Sequence, residues 1–144
     1  MPSPLRDDLM VQEQINGPWQ MLVGCIMLNQ TGRKPVKTVL PAFIERWPTP
    51  QAYLTSTKEE VVEVIRSLGF YNRRERSIRR MSEDFLTWDH KDAKKLFGIG
   101  QYGSESYRIF FLGERFEPQD KELRRYLDYP QLPPKSKSIN IKQD

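Results

Sequence analysis

Residues 94–126 read KKLFGIGQYGSESYRIFFLGERFEPQDKELRRY, and the fold turns on this stretch. A short segment runs into the turn Gly98-Ile99-Gly100, and a helical pattern, QYGSESYRIFFLG, follows from Gln101 to Gly113. Glycine reaches backbone angles closed to other residues and lets a partner approach the main chain. The first N–H groups of the second helix point outward beside the positive end of its dipole, which suits a phosphate. A grip of this kind positions a protein on a nucleic-acid backbone and reads no bases. Carbonyl oxygens on the other side of the turn could hold a monovalent cation. A bare Gly-x-Gly also ends helices with no ligand at all. No strand precedes this one, so it is not a dinucleotide fingerprint, and it lacks the Gly-Lys-Ser/Thr ending of a P-loop.

Around this unit the chain reads as helix nearly throughout. LRDDLMVQEQI, residues 5–15, places Leu5, Leu9, Val11 and Ile15 in a helical pattern with acids early, and predicts a first helix. Pro18 opens the next, Trp19 to Asn29, which is apolar on nearly every face and belongs in the core. KPVKTVLPAFIERW, residues 34–47, is a third helix, and TPQAYLTS, residues 49–56, a short helix or turn. TKEEVVEVIRSLG has a threonine cap, glutamates in its first turn and Gly69 as its stop. NRRERSIRRMSEDFLTW, residues 72–88, is a basic helix with Ile78, Met81 and Phe85 on one stripe. KDAKKLF, residues 91–97, is a short helix, and DKELRRYLDY, residues 120–129, the last. Period-two alternation is absent. The fold class is therefore all-α, with one domain over residues 1–129 and a proline- and lysine-rich tail, 130–144, expected to be disordered.

The 144 residues, 38% hydrophobic, suffice for one core, and the net charge of +4 is compatible with a polyanionic partner. A single cysteine, Cys25, excludes within this sequence a disulfide framework, a cysteine-based zinc site and a four-cysteine iron–sulfur cluster. It reads as a small buried hydrophobe. The single histidine, His90, excludes multi-histidine metal sites and reads as a loop residue. The apolar run from Trp19 to Leu28 is too short to span a bilayer. A soluble, intracellular protein with no membrane partner is expected.

With LFGIGQYGSESYRIF, QEQINGPWQMLVGCIMLNQT, LGFYNRR and EPQDKELRRYLDY in order, residues 9–129 resemble the helix-hairpin-helix (HhH-GPD) DNA glycosylase superfamily. Within it the likeness is greatest to the thymine glycosylases that carry a methyl-CpG-binding domain. The resemblance implies a single helical domain and a monomer acting on double-stranded DNA that holds a mismatched or damaged base. Asp120 matches the family's catalytic aspartate. Tyr102 stands where the lyase-active, endonuclease III-like branch has a Schiff-base lysine. A tyrosine forms no imine, so the resemblance implies a monofunctional enzyme that uses water. Gln12 and Tyr102 match the base pocket. Gln30 matches the plug that fills the hole in the duplex, and Phe70 the wedge beside the orphaned base. The hairpin's DNA contacts fall at Gly98, Gly100, Gln101 and Gly103. No cofactor is implied beyond a monovalent cation at the hairpin. The sequence departs from the branch at Gln30, an arginine there, and at Glu122, a lysine there.

The chemistry fits these residue types. A base must leave the stack to be acted on, at a cost of about a few kcal/mol. Breaking the N-glycosidic bond builds positive charge on the sugar, which a carboxylate stabilises while activating water. Each residue also has a plainer reading: Asp120 as the cap of KELRRY, Tyr102 and Phe70 as packing, Gln12 and Gln30 as surface amides, and the arginines between 73 and 80 as a solvated face. Two other functions share the scaffold, a DNA-binding module without activity and an enzyme that modifies thymine bases in viral DNA.

Overall fold

The computed structural model describes residues 3–133, and among them all regular structure is helical, as the sequence predicts. The chain divides into two compact units, Met1–Glu114 and Arg115–Asp144.

The first unit is built around α1, Pro18–Leu28, whose side chains from Met21 to Met27 are all buried. Around it lie α2, Arg33–Arg46, α5, Tyr71–Phe85, and α6, Gln101–Phe110. α3, Pro50–Leu54, and α4, Lys58–Ile65, pack on α5. Trp19, Phe43, Trp47 and Tyr53 form one aromatic cluster with ring centroids 5.1 to 6.1 Å apart. The buried indole N–H of Trp19 donates to Ser82 Oγ at 2.9 Å, and that hydroxyl donates to the Ile78 carbonyl at 2.7 Å. Thr49 caps α3. Thr57 caps α4 in a reciprocal box: its Oγ1 accepts from the Glu60 N–H at 3.2 Å, and Glu60 Oε1 accepts from the Thr57 N–H at 2.8 Å. Gly69, at φ 76°, ends that segment as expected. Cys25 is buried, and His90 is an exposed loop residue.

The predicted first helix over residues 5–15 does not form; only a 3-10 turn, Val11–Gln14, is present. The reason lies partly in α2. Pro41 has no N–H, so the Lys37 carbonyl one turn earlier loses its helical donor. The Leu5 N–H supplies it at 2.9 Å, and the buried Lys37 Nζ donates to the Asp7 carbonyl at 3.0 Å. Gln14 satisfies the rest of the segment. Its Oε1 accepts from the Arg6 N–H at 2.6 Å, and its Nε2 faces the carbonyls of Arg6, Leu9 and Met10 at 3.1 to 3.3 Å. A side chain thus replaces the helical ladder.

The short helix expected over 91–97 is likewise reduced to a 3-10 turn, Ala93–Lys95. Carboxylates draw the backbone donors away: Asp92 accepts from the Lys94 N–H at 3.1 Å and Asp84 from the Phe97 N–H at 2.9 Å. The arginines of α5 are not one solvated face. Arg74 is buried, and Arg79 pairs with the buried Glu75 at 2.6 Å.

In the second unit, α7 spans Lys121–Tyr126. The buried Arg124 donates to the carbonyls of Pro118 at 2.8 Å and Pro130 at 2.7 Å, and pairs with Glu117 at 2.7 Å. Of the tail, residues 134–144 lie outside the described residues.

Two stability measurements check these assignments. Ser82→Ala leaves the buried Trp19 N–H without its acceptor and should cost about 1–3 kcal/mol in chemical denaturation. Deleting residues 1–6 should cost a similar amount, about 1–3 kcal/mol, and much less in a Pro41→Ala background, where Lys37 regains a helical donor. Equal losses in both backgrounds would remove the proline gap as the docking point.

Candidate DNA interface and active site

α1 ends at Leu28, and the chain then turns sharply. Gln30 sits in the left-handed region at φ 63°. A second sharp turn precedes α5, where Phe70 sits at φ 47° with its ring 59% exposed. Non-glycine residues pay roughly 1–2 kcal/mol for such angles. An exposed phenylalanine held there is a feature that folding alone does not favour. Gln30, Phe70 and Gly98, taken from three separate parts of the sequence, line one groove of ~280 Å³ with Ile26, Asn29 and Arg73. The sequence-predicted plug, wedge and hairpin therefore meet. The Arg73 guanidinium joins them: it donates to Gln30 Oε1 at 3.2 Å and lies 5.0 Å above the Phe70 ring.

The hairpin's two turn glycines differ in what they require. Gly98 has φ 79°, an angle that costs other residues strain, and a Cβ there would sit 3.5 Å from Ser77 Cβ. Gly100 is extended, at φ −101° and ψ −151°, so the expectation of special angles fails there. A Cβ on Gly100 would meet nothing within 4 Å. The fold places no demand for glycine at this exposed position. The first bond of α6 runs from the Ser104 N–H to the Gly100 carbonyl at 2.9 Å. The N–H groups of Gln101, Tyr102 and Gly103 therefore lie ahead of the helical ladder. Gly103 itself is buried, and a Cβ there would press on Ile99 at 2.9 Å. Its missing side chain serves packing.

Gln12 is a core amide and not a surface one, 3% exposed. Its Nε2 donates to the Tyr102 hydroxyl at 2.5 Å and to Ser106 Oγ at 3.0 Å. Its Oε1 is buried and has no hydrogen-bond partner among the described residues. An amide oxygen left in that state stands out, since buried polar atoms are nearly always satisfied. Gln12 and Tyr102, paired in the sequence reading across ninety positions, are thus in direct contact. Ser106 was not foreseen. It lies four residues after Tyr102, on the same face of α6, and that spacing was the available signal.

Asp120 caps α7. Its Oδ2 accepts from the N–H groups of Glu122 and Leu123, both at 3.0 Å. These bonds fix the direction of the carboxylate, and the cap reading of Asp120 holds. Glu122 lies beside Arg125 at 3.5 Å. Among the described residues no group of three or more His, Cys, Asp or Glu could hold a metal ion, and no helix is long and apolar enough to cross a membrane.

Residues 23–140 match the model of the HhH-GPD superfamily of base excision DNA repair proteins. The chain is 29% identical over 126 residues to a methyl-CpG-binding domain protein 4-like protein of Arabidopsis thaliana, covering 85% of this chain and 28% of the relative. It is 32% identical over 124 residues to an adenine DNA glycosylase of Mycobacterium tuberculosis, covering 82% of this chain and 41% of the relative. It thus spans well under half the length of these two relatives. Its fold resembles the structure of a thermostable thymine-DNA glycosylase, with a TM-score of 0.72 at 18% identity over 85% of this chain and 59% of the other. The order of helices, the glycine hairpin at Gly98 and the match over most of its length agree: the chain belongs to the HhH-GPD superfamily of base excision DNA repair proteins.

Proposed function

We propose that residues 1–129 are a monofunctional DNA glycosylase domain that flips out and excises a mismatched or damaged pyrimidine. The substrates are thymine or uracil opposite guanine, or an oxidised pyrimidine such as 5-hydroxymethyluracil. The Gln12–Tyr102–Ser106 cluster carries this reading. One edge of the Gln12 amide is fixed by two hydroxyls, and its oxygen is left without a partner among the described residues. That oxygen is an acceptor suited to the N3–H of a flipped thymine or uracil. Tyr102 stands where an imine-forming lysine would be needed for strand cleavage, so water is the nucleophile.

In this mechanism Phe70 wedges beside the orphaned base, and Gln30 fills the vacancy in the stack. The N–H groups of Gln101, Tyr102 and Gly103 hold a phosphate. Residues 96–103 contain no carboxylate, so backbone carbonyls of the turn are the donors on offer, a set suited to a monovalent rather than a divalent cation. Such a cation would be held by the turn's carbonyls and would supply positive charge for a phosphate. The Asp120 carboxylate orients and deprotonates the attacking water and stabilises positive charge on the sugar as the base leaves as an anion. The protein works as a monomer inside the cell, wherever its DNA lies.

The deciding experiment uses labelled duplexes with G·T, G·U, G·5-hydroxymethyluracil and G·A pairs, followed by hot alkali. Cleavage should occur at the pyrimidine and only after alkali, and Asp120→Asn should lower it by roughly 10²-fold or more. Cleavage without alkali would mean a lyase. Release of adenine would move the substrate to the purine side of the superfamily. Binding with no base release would leave a DNA-binding module or a base-modifying enzyme. A second experiment separates the hairpin glycines. Gly100→Ala should leave stability unchanged within about 0.5 kcal/mol while weakening binding to any duplex, whatever its sequence. Gly98→Ala should lower stability by about 1 kcal/mol or more through its positive φ.

A further inference from the structure

We propose that Arg74 is a positioning residue that locks the loop bearing Gln30 and the loop bearing Phe70 into one rigid tooth. This rests on the wedge and plug reading above. The Arg74 side chain is 4% exposed, and its guanidinium reaches both loops at once. Nη1 donates to the carbonyls of Leu68, at 3.0 Å, and Gly69, directly before Phe70. Nη2 donates to the carbonyl of Asn29, directly before Gln30. A planar fork with several fixed donors spans separate carbonyls at set directions, which a compact ammonium with freely rotating donors does less well.

The two loops need such a brace. Gln30 and Phe70 both hold left-handed backbone angles that relax readily unless the surroundings impose them. Arg74 sits where it can impose both, with its guanidinium 5.7 Å from the Phe70 ring. The arrangement is costly as mere scaffolding. Burial disfavours the guanidinium charge, the Arg73 charge beside it adds to this, and Nε has no acceptor among the described residues. An apolar side chain would fill the space without that cost. Neutral carbonyls supply the compensation, and they belong to the residues that set the direction of the plug and the wedge. An insertion device works only if both parts enter the duplex at a fixed separation. Loose loops would still touch DNA, and they would fail to distort it.

The test uses a duplex carrying a tetrahydrofuran abasic analogue opposite 2-aminopurine, whose fluorescence reports insertion next to the orphaned base without any base excision. Arg74→Met and Arg74→Lys are compared with the wild type, alongside affinity for an undamaged duplex and thermal melting. The wild type should give a fluorescence change on binding. The concentration giving half that change should rise roughly tenfold in Arg74→Met and by less in Arg74→Lys, while undamaged-duplex affinity stays as in the wild type. Where Arg74→Met does not fold, Arg74→Lys decides. Wild-type fluorescence behaviour in a folded variant overturns the proposal. So does a loss matched by equal loss on undamaged DNA, or failure of both variants to fold, since Arg74 would then serve folding alone. A wild type that binds without a fluorescence change would instead sink the wedge reading itself, and the proposal with it.

Discussion

A helix of 11 residues with 8 of them buried, Pro18–Leu28, has to be enclosed on every side. That demand sets the first unit. The surrounding chain must come close enough to exclude water, and on the α2 side glycine supplies the clearance. A Cβ on Gly24 would lie 3.0 Å from Leu40 of α2 and 3.3 Å from Val11. The enclosed helix also fixes where the surrounding chain can emerge. Before it comes the turn that carries Gln12, and after it the loop that carries Gln30. Burial of apolar surface, which has no direction of its own, thereby places two polar amides that have specific directions.

Among the described residues, three buried cations serve as braces inside the protein. Lys37, Arg74 and Arg124 are each 3 or 4% exposed, and each donates to main-chain carbonyls of a loop. Each replaces regular hydrogen bonding where the chain is irregular. This is a physical answer to the shortage of secondary structure around residues 5–10, 68–70 and 117–120. A loop whose carbonyls meet an interior cation has its backbone acceptors satisfied by charge-assisted hydrogen bonds.

What could be read from sequence followed from how local its cause was. The box at Thr57 and Glu60, the stop at Gly69 and the apolar run of α1 depend on neighbours within a turn or two, and they are where the sequence places them. The segment 5–15 has helical spacing and still is not a helix, because Pro41 and Gln14 compete for its backbone groups. The contact of Gln12 with Tyr102 came from the family likeness, and no periodicity could have supplied it. Within the arginines of α5 the letters are identical, and burial alone separates Arg74 from its neighbours. Gly98 and Gly100 look equivalent on paper; only the backbone shows that one answers to the fold and the other to empty space.

The gap at Pro41 ties two events together. Until Leu5 arrives, α2 carries a carbonyl with no donor, and the arm that ends in Gln12 has no dock. The donor that completes the ladder of α2 and the anchor of the segment leading to Gln12 are therefore the same hydrogen bond. A chain without that contact would lose a donor for α2 and an anchor for the Gln12 segment at once.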